Sequence, residues 1–331
     1  MSRIVTWGIL GTGDIARQMA EDLRIVPHAE LRAVASRTLE RAEAFAQTHS
    51  IPVAYGDYAS LAAAPDIDVV YIATPHPRHC GDTLLCLKQK KAVLCEKPLA
   101  MNARQVDEMI AAAEASDSFL MEALWTAFFP AIIALRKDIA NGVIGEPNLV
   151  TANFSYQAAT DPAGRLFNPE LGGGALLDIG IYTVALADMV YNEEPRSVHA
   201  AWTPASTGVD QSEVLILDYG RGRRAVLSAS LAQDASQVAH IAGDKGAIHI
   251  PRLFSQPDTY TVECDGQSEE HHFERVGYGY HLEAQAVTTC VREGRRACET
   301  VPWAMSQRII KTLDRVRSQW GLHYAAEKTC P

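Results

Sequence analysis

Residues Ile4-Val5-Thr6-Trp7-Gly8-Ile9-Leu10-Gly11-Thr12-Gly13-Asp14-Ile15-Ala16 run an apolar strand straight into a glycine turn and the start of a helix. The turn carries G-x-G-x-x-A. Alone, that pattern is weak, because glycine-rich turns are common. Here it has the setting its chemistry requires: a strand before, a helix after, and a place in the chain's first strand–helix–strand unit. Gly11 permits the tight turn, Gly13 lets the backbone approach a pyrophosphate, and Ala16 allows close helix–strand packing. Thr12, Asp14 and Ile15 complete the turn and the helix start, whose free N–H groups and positive dipole favour an anion. The alternative, an ordinary strand-to-helix turn, is disfavoured by the βαβ setting.

Outward from this stretch the same alternation repeats. Strands are expected at Leu31–Ser36, Val53–Tyr55, Asp68–Ala73, Ala92–Cys95 and Phe119–Ala123. Helices are expected at Asp14–Ile25, after Thr38, at Tyr58–Ala64, at His79–Lys90 and at Asn102–Ala115. Thr38 and Asn102 serve as N-caps. The run DVVYIA at residues 68–73 is continuously apolar, as in a strand buried on both faces. Regular alternation implies right-handed crossovers and a doubly wound parallel sheet of Rossmann type over residues 1–123. Beyond it, strand-like stretches follow one another at Leu149–Tyr156, Ser197–Thr203, Val214–Tyr219, Arg224–Ala232, Val238–Ala242, Ala247–Ile250 and Tyr260–Cys264. They are interrupted by an apolar helix at Ala175–Val190 and closed by helices at His281–Arg292 and Met305–Gln319. Residues 124–331 therefore read as an α+β domain on one large, mostly antiparallel, open-faced sheet.

Bulk properties exclude several function classes. Of 331 residues, 47% are hydrophobic and 21% charged, the balance of a globular chain long enough for two cores. A formal net charge of −10 argues against nucleic-acid and anionic-membrane surfaces. No stretch approaches eighteen unbroken apolar residues and no signal peptide is evident, so no membrane span is expected. Seven scattered cysteines without C-x-x-C fit free thiols in a reducing compartment, and the cytoplasm is the expected location.

Dinucleotide choice is read at the end of the second strand. Sites for NAD usually place a carboxylate there; this chain has Ser36-Arg37-Thr38. A hydroxyl and a guanidinium suit a 2′-phosphate, so NADP is expected. After the fourth strand comes Thr74-Pro75-His76-Pro77-Arg78-His79-Cys80. Its histidines could suggest a metal, but two prolines deny them helical spacing and no further ligands are obvious. Thr74, Pro75, His76 and His79 are expected to contact the dinucleotide instead, and no metal is expected. Glu96-Lys97-Pro98 ends the next strand at the same sheet edge. Lys97 there is a candidate proton donor or acceptor beside a nicotinamide, with Glu96 holding the ammonium or the ribose; a purely structural ion pair is the alternative.

Gly11–Ala16, Ala73-Thr74-Pro75-His76 and Glu96-Lys97-Pro98 together resemble the glucose–fructose oxidoreductase/inositol dehydrogenase (Gfo/Idh/MocA) superfamily. Pro75–Cys80, the block Phe119–Thr126 with Phe128-Phe129-Pro130, and Gly172–Tyr182 are similar to its dimeric dihydrodiol dehydrogenase branch, which also oxidises D-xylose with NADP. The resemblance implies that Lys97 is the active-site lysine, with Asp178 and Tyr182 as its catalytic companions in the second domain. Many members have histidine where this chain has Tyr182, which makes them poorer guides. Arg37, His76 and His79 match cofactor-contacting positions, and Trp125 and Phe154 match an aromatic substrate wall that Asp178 and Tyr182 complete. The residues agree: Asp178 and Tyr182 lie four apart on a helix, hence on one face. Gly172–Gly174 would let its start approach a ligand. The apolar neighbours of Asp178 imply burial; a buried carboxylate needs a partner, and Lys97 is the candidate.

These expectations amount to an NADP-dependent oxidoreductase of a sugar or cyclic diol. A reductase of a sugar, anhydro-sugar or inositol ketone and a non-catalytic dinucleotide-sensing regulator are the alternatives. The resemblance also implies a homodimer through the open sheet face, a small polyol, sugar or diol as substrate, and no nucleic-acid or membrane partner.

Overall fold

Six short segments pair in parallel, because a helix after each of the first five returns the chain to the same edge of the sheet. A computed structural model describes residues 3–328. In it β1 (Val5–Leu10), β2 (Ala29–Ala35), β3 (Val53–Tyr55), β4 (Val69–Ile72), β5 (Ala92–Glu96) and β6 (Leu120–Ala123) form a sheet ordered β3-β2-β1-β4-β5-β6. All five pairings are parallel. Every residue of β4 is buried, as a two-sided strand must be. The strand order reverses between β1 and β4, which puts the glycine turn and the Thr74–His79 loop side by side at the carboxyl edge.

The connecting helices are α1 (Asp14–Asp22), α2 (Leu39–His49), α3 (Tyr58–Ala63), α4 (His79–Lys88) and α5 (Ala103–Ser116). Thr38, Asp57 and Asn102 cap α2, α3 and α5 by accepting from the N–H groups of Arg41, Ser60 and Gln105.

The chain divides at Trp125/Thr126, but Arg275–Ser306 return to the first unit; the second unit is Thr126–Glu274 with Gln307–Lys328. The expected second domain, unbroken from residue 124 to the C-terminus, is thus interrupted. The returning segment carries α8 (Tyr280–Arg292), which packs on α1 and β1. Asp22, 3% exposed at the end of α1, accepts from the N–H groups of Tyr278 (3.0 Å), Gly279 (2.9 Å) and His281 (3.2 Å). One carboxylate therefore terminates α1 and satisfies the open N-terminus of α8.

The second unit begins with α6 (Pro130–Ala140) and holds eight strands: β7 (Pro147–Ser155), β8 (Ser197–Pro204), β9 (Asp210–Gly220), β10 (Arg223–Ser230), β11 (Ala239–Gly243), β12 (Gly246–Ile250), β13 (Thr259–Cys264) and β14 (Gln267–His272). Their order is β14-β13-β12-β11-β7-β10-β9-β8, and only β7 with β10 is parallel. β14 was not expected. It reads Gln-Ser-Glu-Glu-His-His, without an apolar residue, and is held at the sheet edge by its pairing with β13.

The expected helix Ala175–Val190 begins instead as a π-turn, Leu176–Gly180, before α7 (Ile181–Tyr191). Both pack on one face of the sheet. On the other face Val214, Ile216, Val226 and Val238 are exposed, by 50%, 42%, 38% and 41%. The helical run Pro169–Tyr191 is long and apolar enough to cross a membrane, but its most apolar 18-residue stretch is 94% buried inside the protein. The last long helix is α9 (Trp303–Trp320).

Among the described residues, Cys86, Cys95, Cys264, Cys290 and Cys298 are free thiols. Cys80 is disulfide-bonded, which corrects the expectation of free thiols throughout, and Cys330 lies outside the described residues.

Candidate functional site

The glycine turn is shaped by two different constraints. Gly11 has φ +106°, and a Cβ there would stand 2.6 Å from the Ala73 carbonyl oxygen, so only glycine lets the ends of β1 and β4 come together. Gly13 has an ordinary extended conformation (φ −86°), and a Cβ there would meet nothing within 4 Å. The space it leaves faces solvent at the start of α1, where no side chain caps the first N–H groups. An uncapped helix start beside an open glycine is a cradle for a phosphate. Asp14 and Ile15 are exposed beside it, and the Thr12 hydroxyl lies 3.4 Å from that of Ser36.

Ser36 is buried at the end of β2, and Arg37 follows it exposed. Arg78 was not anticipated here. It stacks on the Tyr58 ring (5.5 Å) and is anchored by the buried Asp82 carboxylate at 2.5 Å. Arg37 and Arg78 both act electrostatically on the Tyr58 hydroxyl, whose pKa is raised chiefly by burial. Arg78, held by Asp82, and the exposed Arg37 are thus cationic groups near this end of the sheet, and with the open start of α1 these residues fit a dinucleotide.

The Thr74–His79 loop is braced from behind. Thr74 Oγ1 donates to Asp82 (2.8 Å), Pro75 is exposed, and His76 is 7% exposed with its ring 5.6 Å from that of His79. His79 itself is 0% exposed. Its Nδ1 lies 2.8 Å from the Pro98 carbonyl and its Nε2 2.8 Å from the Thr74 carbonyl. His79 thus ties the loops after β4 and β5 together from a wholly buried position. Two carbonyl acceptors favour a doubly protonated ring, but burial outweighs them and lowers its pKa.

Glu96 and Lys97 are half-buried at the end of β5. The Tyr71 hydroxyl donates to Glu96 Oε1, and the Lys97 N–H donates to Oε2 (3.2 Å). Tyr71 is wholly buried, so it fixes the carboxylate from beneath; burial and the Glu96 charge push its own pKa well up. Glu122, buried on β6, accepts from the Leu99 N–H (2.9 Å), and burial raises its pKa. Trp125 is half-buried and stacked on Tyr280 of α8 at 4.6 Å and 11°.

In the second unit, Asp178 sits on the π-turn, 5% exposed, and Tyr182 follows in the first turn of α7, 8% exposed. Arg165 Nη1 donates to Asp178 Oδ1 at 2.6 Å, a partner that sequence alone did not suggest because it lies in an irregular loop. The Phe154 ring lies 5.6 Å from Tyr182 and 6.0 Å from Phe254. Tyr156 adds a phenol whose pKa burial and Asp178 push up to about 12. Asp178, Tyr182 and Phe154 therefore assemble a wall with charged, phenolic and aromatic parts. Among the described residues no group of three or more His, Cys, Asp or Glu is arranged to hold a metal ion.

Residues 5–124 match the family described as an oxidoreductase family with an NAD-binding Rossmann fold, and residues 132–249 match the GFO/IDH/MocA C-terminal domain. The chain is 40% identical over 328 residues to a trans-1,2-dihydrobenzene-1,2-diol dehydrogenase of Xenopus laevis, covering 96% of this chain and 98% of that one. Its fold is shared by KijD10, a 3-ketoreductase from Actinomadura kijaniata in complex with NADP and TDP-benzene (TM-score 0.85, 24% identity, 96% and 98% covered). It is shared equally by a levoglucosan dehydrogenase in complex with NADH and levoglucosan (TM-score 0.87, 19% identity, 99% and 98% covered).

Proposed function

The chain belongs to the Gfo/Idh/MocA oxidoreductase family, and from that premise we propose that it is an NADP-dependent dehydrogenase oxidising a ring hydroxyl of a trans-dihydrodiol or of D-xylose. The observation that carries this reading is the Glu96-Lys97 step, half-buried at the carboxyl edge of the parallel sheet with its carboxylate oriented from below by Tyr71. Preference for NADP rests on Arg37, which stands where a ribose-binding carboxylate would favour NAD, and on the neighbouring Arg78.

When bound, NADP supplies the nicotinamide that accepts hydride from the carbinol carbon. Lys97 Nζ takes the hydroxyl proton in the oxidative direction, and as ammonium it donates a proton to the carbonyl oxygen in reverse. Glu96 holds the ammonium or the ribose. Asp178, anchored by Arg165, accepts a hydrogen bond from a second substrate hydroxyl, and the Tyr182 phenol orients the first. Trp125, braced by Tyr280, and Phe154 offer flat apolar surface to an aromatic diol or to the apolar face of a sugar. A trans-dihydrodiol gives a ketone that tautomerises to a catechol; D-xylose, losing hydride from its anomeric carbon, gives a lactone.

The test is NADPH formation with each substrate, in the protein and in Lys97→Met. Turnover of either substrate, lost on the order of a hundredfold or more in the variant while NADP still binds, is the expected result. Near-normal turnover in Lys97→Met removes the lysine from its role. The exposed Val214, Ile216, Val226 and Val238 support a homodimer through that sheet face, which sedimentation equilibrium would weigh directly. The net charge of −10 suits a protein acting on small molecules, without nucleic-acid or anionic-membrane partners, and the five free thiols among the described residues, despite the bonded Cys80, support a cytoplasmic location.

A further inference from the structure

Beneath the π-turn that bears Asp178, β9 presents two carboxyl groups that the reaction does not use. Residues three apart on a strand normally face opposite ways. Here Asp210 pairs with Pro204 and Ser212 with Thr203, so Gln211 is skipped, and Asp210 and Glu213 both turn inward. They are 0% and 3% exposed.

The donors near them all serve Asp210: the N–H groups of Leu176, Ala175 and Asp210 itself. Asp210 Oδ2 accepts from the Leu176 N–H at 2.5 Å, at the start of the π-turn. Asp210 Oδ1 and both oxygens of Glu213 have no hydrogen-bond partner when the carboxyl groups are counted as acceptors only. The backbone is cut away to admit them. A Cβ at Gly174 would stand 2.2 Å from Asp210 Oδ1, and one at Gly180 would stand 2.5 Å from Glu213 Oε1. Gly174 and Gly180 thus bracket the π-turn, and each is glycine because a carboxyl oxygen occupies its Cβ space.

The other charged groups facing the pair do not settle it. Arg317, 3% exposed on α9, is held by Asp314 at 2.6 Å and by Glu327. The Tyr324 hydroxyl donates to the Gly173 carbonyl at 2.6 Å. Asp178 on the turn pairs with Arg165. From the flanking strands, the residues paired with this part of β9 are Trp202, Thr203, Pro204, Ala229 and Ser230, none of them ionisable. Burial raises both carboxyls: Glu213 goes well above the carboxylate range, pushed further by Asp210, while Asp210 rises to about 6, restrained by the Leu176 N–H.

We propose that Asp210 and Glu213 share one proton, Glu213 donating to Asp210, and that this acid–carboxylate hydrogen bond positions the π-turn bearing Asp178 and the helix start bearing Tyr182. A single proton between them satisfies oxygens that otherwise have no partner and removes one of two buried charges. Losing it sets two carboxylates side by side under the turn, and their repulsion displaces Asp178 from above. Asp210 and Glu213 are positioning residues; neither is placed to touch substrate.

The positioning role rests on the reading that Asp178 and Tyr182 serve the reaction, so the test has two arms. Infrared difference spectroscopy at neutral pH compares the protein with Glu213→Gln, and a protonated-carboxyl band lost in the variant is expected. Absence of that difference overturns the shared proton, whatever the protein's substrate. In the second arm kcat and KM are followed against pH. Glu213→Gln keeps a permanent donor to Asp210, so its kcat at neutral pH should stay close to that of the unmodified protein while its alkaline decline moves to higher pH. Glu213→Leu should lose kcat on the order of a hundredfold with cofactor Kd unchanged. Equal damage in the two variants, or a coincident alkaline limb in Glu213→Gln, overturns the positioning role, and so do unaltered kinetics in both. Should Glu213→Leu not fold, the glutamine variant decides alone.

Discussion

Gly11 and Gly13 are two residues apart, yet alanine should act on them in opposite ways. At Gly13 the backbone already has angles any residue adopts, and the added methyl meets nothing within 4 Å. Restricting the unfolded chain contributes about 0.4–1 kcal/mol of stability. Alanine is a poorer N-cap than glycine, which costs a comparable amount, so stability should move by no more than about 0.5 kcal/mol. The methyl does occupy the space through which a pyrophosphate would reach the N–H groups of α1. Cofactor affinity should fall about ten- to a hundredfold, or roughly 1.4–2.8 kcal/mol. At Gly11 the positive φ alone costs about 1–2 kcal/mol for alanine. Pushing back the Ala73 carbonyl adds about 1–3 kcal/mol, so Gly11→Ala should lose about 2–5 kcal/mol of stability as well as binding. Urea denaturation followed by tryptophan fluorescence measures the first quantity, and NADPH titration by fluorescence the second. If Gly13→Ala binds NADPH as tightly as the unmodified protein, no phosphate sits against Gly13 and the cradle has been misread.

Arg37→Glu should reverse cofactor choice: losing a charge-assisted contact of about 1.5–3 kcal/mol weakens NADP by about tenfold or more and leaves NAD nearly untouched. Equal loss for both dinucleotides would show that Arg37 does not read the 2′-phosphate. Asp22→Ala strands three N–H groups at the start of α8 and should cost about 2–4 kcal/mol in urea denaturation, with Asp22→Asn recovering part of it. A cost below about 1 kcal/mol would mean that water replaces the carboxylate. Glu213 is raised in the folded state above its ordinary 4.5, so its contribution is complete below that pH and is lost as pH rises. Glu213→Gln lacks this term. Its stability relative to the unmodified protein should therefore improve as pH rises above about 5, by up to about 1.4 kcal/mol per unit, and a flat difference would mean that Glu213 is ionised when folded.

What could be read in advance follows from where side chains face. β4 was legible because a strand covered on both faces must be apolar throughout, and the glycine turn because its neighbours on either side were equally plain. β14 was not, because an edge strand held by backbone pairing has no side-chain period to show. Asp22 reads locally as one more helix acid; only the N–H groups of residues 278–281 reveal it as a cap. His79 shows in the sequence only as a loop histidine; its place between the Thr74 and Pro98 carbonyls depends on the chain after β5. Arg165 lies in irregular chain, where spacing says nothing about reach. Asp210 and Glu213 were hidden by the skipped residue between them, since strict alternation would have put one of them outside.

The return of Arg275–Ser306 to the first unit has a consequence for the order in which the protein can be made. The ribosome delivers all six strands of the parallel sheet by Ala123, but α8, which covers part of that sheet and answers Asp22, emerges only after nearly the whole second unit. At about 5–20 residues per second, roughly ten to forty seconds separate Trp125 from Ser306. During that interval the nascent nucleotide-binding half has an uncovered flank, and Asp22 lacks the N–H groups of residues 278, 279 and 281. A fragment ending near Trp125 would lack α8 and the N–H groups that Asp22 answers, so a cofactor-binding fragment of this enzyme needs Arg275–Ser306 as well as residues up to Trp125 to keep every contact of the first unit.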